Sequence, residues 1–405
     1  MYYDKQDIRK QEAYKNMLTL VGMLSRLFST ADEPFLYYRA HENIFAKYFE
    51  LDNNARNDDS ADACDLKNKI GFGLKTWVGG DNQKVAEFGL LRPQYEHLHG
   101  LELIKQIAKY RNLRIRTTLR QHGLNELIYH IVKRIPGAMC IYESAFDYID
   151  IDNIVYDEHR GSENNLYFSD GKHTYHFSLS KNTLYMIFDD MTLLDQFPVN
   201  IVDDPYSFLE NNMSKTETTQ LFSMELAPEQ LCLKLYSVKS DGTKFVPEKS
   251  GLNQWNGVRV TYLKDKTGKD VYDENGDRVI KKITPRDPNE LYIPFPAEDR
   301  ARIPDFFPPK DTPFDLCLPD GQWISAKVCQ QDSKAIMSNP NKKLGKWLLR
   351  DVLELPEGTV ITYEMLQQYG IDSVIFTKIE DLKYSIDFCP LETYESFYES
   401  AAQDD

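Results

Sequence analysis

No stretch of this 405-residue chain approaches the roughly 20 apolar residues that a bilayer span requires. The longest early run, "MLTLVGML" from Met17, is short and flanked by polar residues, and the opening "MYYDKQDIRKQEAYKN" lacks a secretory pattern. The six cysteines, at 64, 140, 232, 317, 329 and 389, have no metal-ligand spacing. Their spread suits a reducing cytoplasm better than a disulfide framework. A cytoplasmic protein with no membrane partner is the expectation. There is no P-loop, no Gly-x-Ser-x-Gly and no Cys-x-x-Cys, which sets aside an ATP-driven enzyme, a common serine hydrolase and a zinc module. None of the eight histidines stands in a His-x-Lys pair, so a phospholipase-D-type nuclease lacks its nucleophile. Internal repeats and long low-complexity tracts are also missing.

What is present is acid, with basic islands. The formal net charge is -15, which argues against a surface that binds polyanions indiscriminately. Yet Lys105, Lys109, Arg111, Arg114, Arg116 and Arg120 occur with no acid between Ile104 and Asn125. Lys334, Lys342, Lys343, Lys346 and Arg350 occur with no acid between Ser333 and Arg350. Local patches matter more than the sum, and these two favour an anionic partner.

At this length two domains are expected. Tyr14, Met17, Leu18, Val21, Leu24 and Phe28 recur at helical spacing. A second helix is predicted in "EPFLYYRAHENIFAKYFEL". "GLELIKQIAKYRNLRIR" reads as a helix running into a strand, and "GLNELIYHIVKRIPG" as a helix stopped by Pro136 and Gly137. From about Ile149 the pattern alternates around Asp170-Gly171, a hairpin signature. Residues 1–225 therefore read as an α+β unit that ends in polar "ENNMSKTETTQ". Residues 231–405 read as a mostly β unit of short strands, among them "LCLKLYSV", "QWISAKVC", "TVITYEML" and "SVIFTKI", spaced as in an open barrel. "KDKTGKDVYDENGDRVIKK" is a charged, hairpin-like insertion.

The N-terminal unit holds one chemically pointed stretch, "DDSADACDLKNKIGFGLKTWVGGDNQKVAEFG" from Asp58 to Gly89. Read as two strands, "SADACDL" and "KIGFGLKTW", it places Asp62 opposite Gly73. Gly73 and Lys75 then share a face, while Ile70, Phe72, Leu74 and Thr76 take the other. An acid diagonal to a lysine suits phosphodiester hydrolysis, in which carboxylates hold a divalent cation and a further group positions water. Glu87, on a predicted helix that would align it with Gln83, is the next carboxylate. Glu42 could add one from an earlier helix.

This Asp followed across a hairpin by Lys resembles the PD-(D/E)xK nuclease superfamily, which includes many type II restriction endonucleases. The chain departs from the pattern at Gly73, where the family has a second acid. Some members, EcoRII-like enzymes among them, carry that acid on the following helix, and Glu87 fits that variant. The resemblance implies Asp62, Lys75 and Glu87 as catalytic residues, with Mg²⁺ held by Asp62, Glu87 and Glu42.

In the second unit, "VPEKSGLNQWNG", "PRDPNELYIPFP" and "AKVCQQDSKAIMSNPNKKLGKWLLRDVLELPEGTVITYEML" resemble the C-terminal domain of NgoFVII-type restriction endonucleases. That domain is similar to the DNA-binding parts of EcoRII and BfiI and to the B-three pseudobarrel of plant transcription factors. The resemblance implies a reader that grips the major groove of double-stranded DNA with two arms. The first would carry Lys249, Ser250, Asn253, Gln254 and Trp255, with Arg286 and Asn289. The second would carry Gln331, Lys334, Ser338, Asn339, Asn341, Lys342, Lys343 and Arg350. Asn and Gln pair bidentately with adenine, Arg and Lys with guanine, and further lysines with phosphates. Together the two resemblances imply a type II restriction endonuclease. It would have an α+β, PD-(D/E)xK-like nuclease domain followed by a pseudobarrel DNA-binding domain. It would act as a homodimer, with a DNA methyltransferase as functional partner. The alternative is a non-catalytic, sequence-specific DNA-binding protein with an N-terminal dimerisation domain.

Overall fold

The computed structural model describes residues 1–53, 60–212 and 229–401. Asp58, Asp59, residues 213–220 of the polar stretch and the last four residues lie outside the described ones. The chain divides into two compact units, Met1–Ala227 and Pro228–Asp405.

The first unit is built on a six-stranded sheet in the order β1-β2-β3-β5-β6-β11. Its strands are β1 (Asp52–Asn53), β2 (Ala63–Asp65), β3 (Ile70–Val78), β5 (Glu126–Ile135), β6 (Ala138–Ala145) and β11 (Thr192–Pro198). Only β3 and β5 pair in parallel, with Gly73 beside Tyr129 and Lys75 beside Ile131. A second sheet, in the order β4-β10-β9-β8-β7, contains β4 (Asn82–Glu87), β7 (Val155–Ser162), β8 (Asn165–Ser169), β9 (Thr174–Ser178) and β10 (Thr183–Ile187). Helices α1 (Ile8–Met23) and α2 (Tyr38–Phe49) cover one face of the first sheet, packing Tyr14, Leu18, Phe45 and Phe49 on Phe72, Leu74, Val132 and Ile141. The short α3 (Arg92–Tyr95), the long α4 (Gly100–Gln121) and the second sheet cover the other face, where Trp77, Tyr129 and Ile131 meet Ile104, Ile107, Phe177 and Phe188.

Three sequence readings are corrected. "GLNELIYHIVKRIPG" is strand β5, not a helix. Leu127, Tyr129 and Ile131 enter one core while Ile128, His130 and Val132 enter the other. The run therefore shows no solvent-facing polar side, and periodicity alone cannot distinguish it from a buried helix. "RNLRIR" stays helical to Gln121 instead of turning into strand. "NQKVAEF" is strand β4, because six residues carry too little pattern to outweigh pairing with β10, which sets Glu87 opposite Thr183.

The α1–α2 face also buries a polar chain. The Glu143 carboxylate accepts the backbone N–H groups of Tyr2 and Tyr3 at 2.7 and 3.0 Å and lies 3.3 Å from His130 Nδ1. The Tyr14 hydroxyl then joins His130 and His41, each at 3.0 Å. Burial, and after it the charges of His130 and Arg134, holds His41 well below the ordinary histidine pKa. A buried carboxylate is tolerated only when it is paired in this way.

The second unit is a curled seven-stranded sheet, a half-barrel, in the order β12-β21-β22-β18-β19-β20-β17. The strands are β12 (Gln230–Lys234), β17 (Ile293–Pro294), β18 (Pro313–Cys317), β19 (Trp323–Cys329), β20 (Ala335–Ser338), β21 (Ser373–Glu380) and β22 (Lys383–Cys389). Leu231, Leu233, Phe314, Leu316, Ala326, Val328, Ile336 and Phe376 fill its interior. "TVITYEML", expected as a strand, enters a helix at Tyr363–Tyr369, where the Thr362 side chain accepts from the Met365 N–H. The charged insertion grows from two exposed strands, β15 (Val258–Tyr262) and β16 (Ile280–Pro285). Its end is not one hairpin but two consecutive tight turns. Asp265 Oδ1 accepts the N–H groups of Thr267 and Lys269, and Asp273 Oδ1 those of Asn275 and Asp277.

Candidate nucleic-acid interface

A cavity of about 720 Å³ opens on the outer face of β19 and β20. Strand alternation builds its floor. Ile324, Ala326 and Val328 point into the barrel, so Lys327 and Cys329 point out, and Met337 lies opposite Lys327 in the ladder. Residues of both predicted arms surround this floor: Lys249, Ser250, Gln254 and Arg286 from the first, and Ser338, Asn339 and Asn341 from the second. The sequence reading missed Tyr292, Lys327, Cys329, Gln330 and Met337, which also line it. The signal for three of them was the period-two pattern of "WISAKVC" and "AIMS", whose outward positions face whatever the arms hold.

Other predicted contacts do structural work. Asn253 is fully buried in the short helical segment Gly251–Asn256. Its Nδ2 donates to the carbonyls of Pro247 and Ile361, and its Oδ1 accepts from the Ile361 N–H. Trp255 packs against the barrel core. Arg350 donates to Asn289 Oδ1 and to the carbonyls of Pro288, Leu355 and Pro356. Arg350 and Asn289 are thus a clamp between two loops. The clamp is tight: a Cβ on Gly345, in the helical turn Lys343–Lys346, would collide with the Asn289 carbonyl oxygen. Ser338, though it lines the cavity, accepts the Leu344 N–H and donates to the Pro340 carbonyl, which shapes the second arm. Gln331 and Lys334 are exposed beside the cavity, where Gln330 takes the lining position instead. Lys342 and Lys343 are exposed at the start of the same helical turn, Lys342 3.7 Å from Asp287. Arg286 and Arg259 share the buried carboxylate of Glu290 at 2.9 and 2.6 Å, which fixes the root of the β15–β16 ribbon.

The first basic stretch lies on α4, and part of it is not a solvent patch. Arg111 is buried, donates to the Tyr129 hydroxyl at 2.9 Å and lies over the Phe146 ring. Arg114 lies over Phe88 and donates to the Glu87 carbonyl. These guanidiniums pack the core through their planar faces.

In the N-terminal unit, β2 pairs with β3 as Ala63–Phe72, Cys64–Gly71 and Asp65–Ile70. That register sets Asp62 opposite Gly73, and Asp62 Oδ2 accepts the Leu74 N–H at 2.6 Å. Asp62 and Lys75 are half-buried on the face away from α1 and α2. Tyr129 borders them. Burial raises its pKa, Arg111 opposes the rise, and Asp62 adds to it. The space beside Asp62, where the resemblance would put a second acid, is filled here. A Cβ on Gly73 would stand 2.8 Å from Phe146 and 2.9 Å from Tyr129, whose rings stack at 4.0 Å.

The other predicted carboxylates do not join Asp62. Glu87 is exposed at the end of β4, in the second sheet, ion-paired with Lys84 at 2.5 Å. Glu42 is on α2, over the opposite sheet face, 3.1 Å from Arg39. Among the described residues no three His, Cys, Asp or Glu side chains gather as a ligand set. Mg²⁺ takes oxygen ligands, commonly one or two carboxylates with water. The set expected for it, Asp62, Glu87 and Glu42, does not fit such a site. The described helices include none long and apolar enough to cross a membrane.

The site is thus a cavity on the outside of a half-barrel, edged by basic residues and bordered by two polar loops. Residues 233–380 match the family described as the NgoFVII C-terminal B3-like DNA-binding domain. The C-terminal unit thus carries a B3-like domain of the restriction-enzyme type. No curated protein matches the chain.

Proposed function

We propose that this protein reads a specific short sequence in double-stranded DNA through its C-terminal unit. The observation that carries the reading is the single cavity that combines Lys249, Gln254 and Arg286 of one arm with Asn339 and Asn341 of the other. Amide side chains in such a cleft discriminate base edges, while Lys249 and the exposed Lys342 and Lys343 take phosphates. The family match supports a DNA-binding domain of the restriction-enzyme type, and the setting we propose for it is a type II restriction endonuclease, paired functionally with a methyltransferase and cutting both strands as a homodimer.

A second observation favours a nuclease role for the N-terminal unit. Strands β3 and β5 run parallel, with β4, α3 and α4 between them in the chain, and in the β2–β3 register Asp62 and Lys75 share one sheet face. There Lys75 supplies positive charge to a scissile phosphate and Asp62 orients it and the attacking water. The aromatic filling at Gly73 favours instead a reader that does not cut, with the N-terminal unit dimerising.

Selection from a random duplex pool with the full chain separates these readings. One enriched motif is the expected result, and on the nuclease reading a plasmid carrying it is cut by the wild type and spared by Lys75→Ala. A specific complex that never cuts would leave the non-catalytic reader. The absence of any enriched motif would overturn the DNA-reading function itself.

A further inference from the structure

We propose that the floor of the cavity reads an A·T base pair, with the Gln254 amide on the adenine edge and the Tyr292–Cys329–Met337 surface on the thymine methyl. This inference rests on the DNA-reading function above. Two independent features carry it. Gln254 lines the cavity, the residue is 5% exposed, and its Oε1 is buried without a hydrogen-bond partner in this unit. An amide oxygen left so is costly, and a ligand donor brought to it recovers that cost. Adenine presents such a donor, its N6 amine, next to an acceptor, N7, and a glutamine amide matches both. The terminal torsion of glutamine is broad, so a small rotation turns the amide toward a base without moving the backbone.

The second feature is apolar. Cys329, Ala335 and Met337 form a small cluster on the outer face of β19 and β20, apart from the barrel core, with Tyr292 packed against it. Three of these four residues line the cavity. Burial raises the Cys329 pKa, which keeps its thiol neutral. Among groups in the major groove, the pyrimidine C5-methyl is the one that seeks apolar contact. A methyl group could also come from 5-methylcytosine. Thymine is favoured because the neighbouring amide matches adenine, whereas guanine offers two acceptors and calls for a cation.

The test uses the full chain and a duplex recovered by selection from a random pool. Each thymine is replaced singly by deoxyuridine, each cytosine by 5-methylcytosine, and each A·T pair by G·C. One A·T position should lose about 4-fold in affinity on loss of its methyl, the effect of one buried methyl-sized group. The same position should lose about 10- to 100-fold on change to G·C. Gln254→Glu keeps the shape but accepts only, so it should shift preference at that position toward cytosine, whose amine donates. Gln254→Ala should flatten preference there while leaving the other positions unchanged. The inference is overturned if a motif is selected but no A·T position responds both to deoxyuridine and to the Gln254 variants. It is likewise overturned if 5-methylcytosine strengthens binding while deoxyuridine has no effect, which would assign the apolar surface to a methylated cytosine. Failure to select any motif would instead strike the DNA-reading function, and this inference with it.

Discussion

Asn253→Ala removes an amide that makes three hydrogen bonds, two donated to the Pro247 and Ile361 carbonyls and one accepted from the Ile361 N–H. A buried hydrogen bond contributes about 0.5–1.5 kcal/mol net, and each buried group left without a partner costs about 1–3 kcal/mol. The Pro247 carbonyl is half-buried and can rehydrate, whereas both Ile361 groups stay buried. The substitution should therefore destabilise the C-terminal unit by about 2–4 kcal/mol. That is a large part of a typical domain stability of about 5–15 kcal/mol, so the protein stays folded in buffer but yields early to denaturant. With a urea dependence of about 1–3 kcal/mol per molar, the midpoint should fall by roughly 1–2 M. Asn253→Asp should do no better at neutral pH, since it keeps the acceptor but turns a carboxylate toward two carbonyls. The assay is urea unfolding of the full chain, followed by binding to single-base variants of a selected duplex. Base preference of the folded protein should stay as in the wild type. An unchanged midpoint with an altered base preference would refute the reasoning, because the amide would then be contacting DNA rather than holding the first arm to the Ile361 loop.

Within the second arm, Asn341→Ala should relax preference at one base position by about 1–3 kcal/mol. Lys343→Ala should weaken binding to all sequences and lower the salt slope by about one unit, both measured by titrating duplex variants over a salt series. Selectivity lost in the lysine variant and kept in the asparagine variant would reverse the assignment. In the barrel, burial raises the Asp372 pKa from 3.8 to about 6, against the Glu392 N–H, the Lys244 charge and the Tyr363 hydroxyl. The folded state then holds its proton more tightly than the unfolded state. The penalty is absent below about pH 4 and complete above about pH 6, reaching about 3 kcal/mol. Asp372→Asn should stabilise the protein at pH 7 and remove this component of its pH dependence in thermal melts. A variant less stable than wild type at pH 7, with the same pH slope, would contradict the sign.

How much was legible in the sequence depended on whether a signal was local. The hairpin around Asp62 and Gly73 was readable because its two strands alternate and one turn joins them, so register followed from chain distance. The loops that border the cavity were picked out by long motifs, seven of whose residues line it. Strand β5 was not, because both of its faces are buried and the sequence therefore shows no polar side. The roles of Asn253 and Arg350 were not legible either. A polar side chain in a recognition motif looks the same whether it meets a base or a backbone carbonyl, and only the fold supplies Ile361 and Pro288 as partners.

That ambiguity has a physical origin that bears on how the arms recognise anything. A loop that projects into a groove exposes backbone carbonyls, and each must find a donor or remain hydrated. The first arm meets this need with Asn253 and the second with Ser338, while Arg350 ties the Pro288–Asn289 loop to Leu355 and Pro356. The residues richest in hydrogen-bonding groups are therefore used where the chain turns, beside the residues left to face the ligand. Immobilising a flexible side chain or loop on binding costs about 0.5–1.5 kcal/mol for each group ordered. Arms already held by such internal bonds avoid most of that cost. On the proposed reading, discrimination by Gln254 and Asn341 would then appear in affinity differences between sequences instead of being spent on ordering the protein. By the same reasoning the count of basic residues overstates the charge offered to DNA. Arg350 in one stretch and Arg111 and Arg114 in the other are engaged within the fold. The salt dependence of binding should accordingly reflect the exposed lysines near the cavity rather than all eleven cations counted from the two stretches.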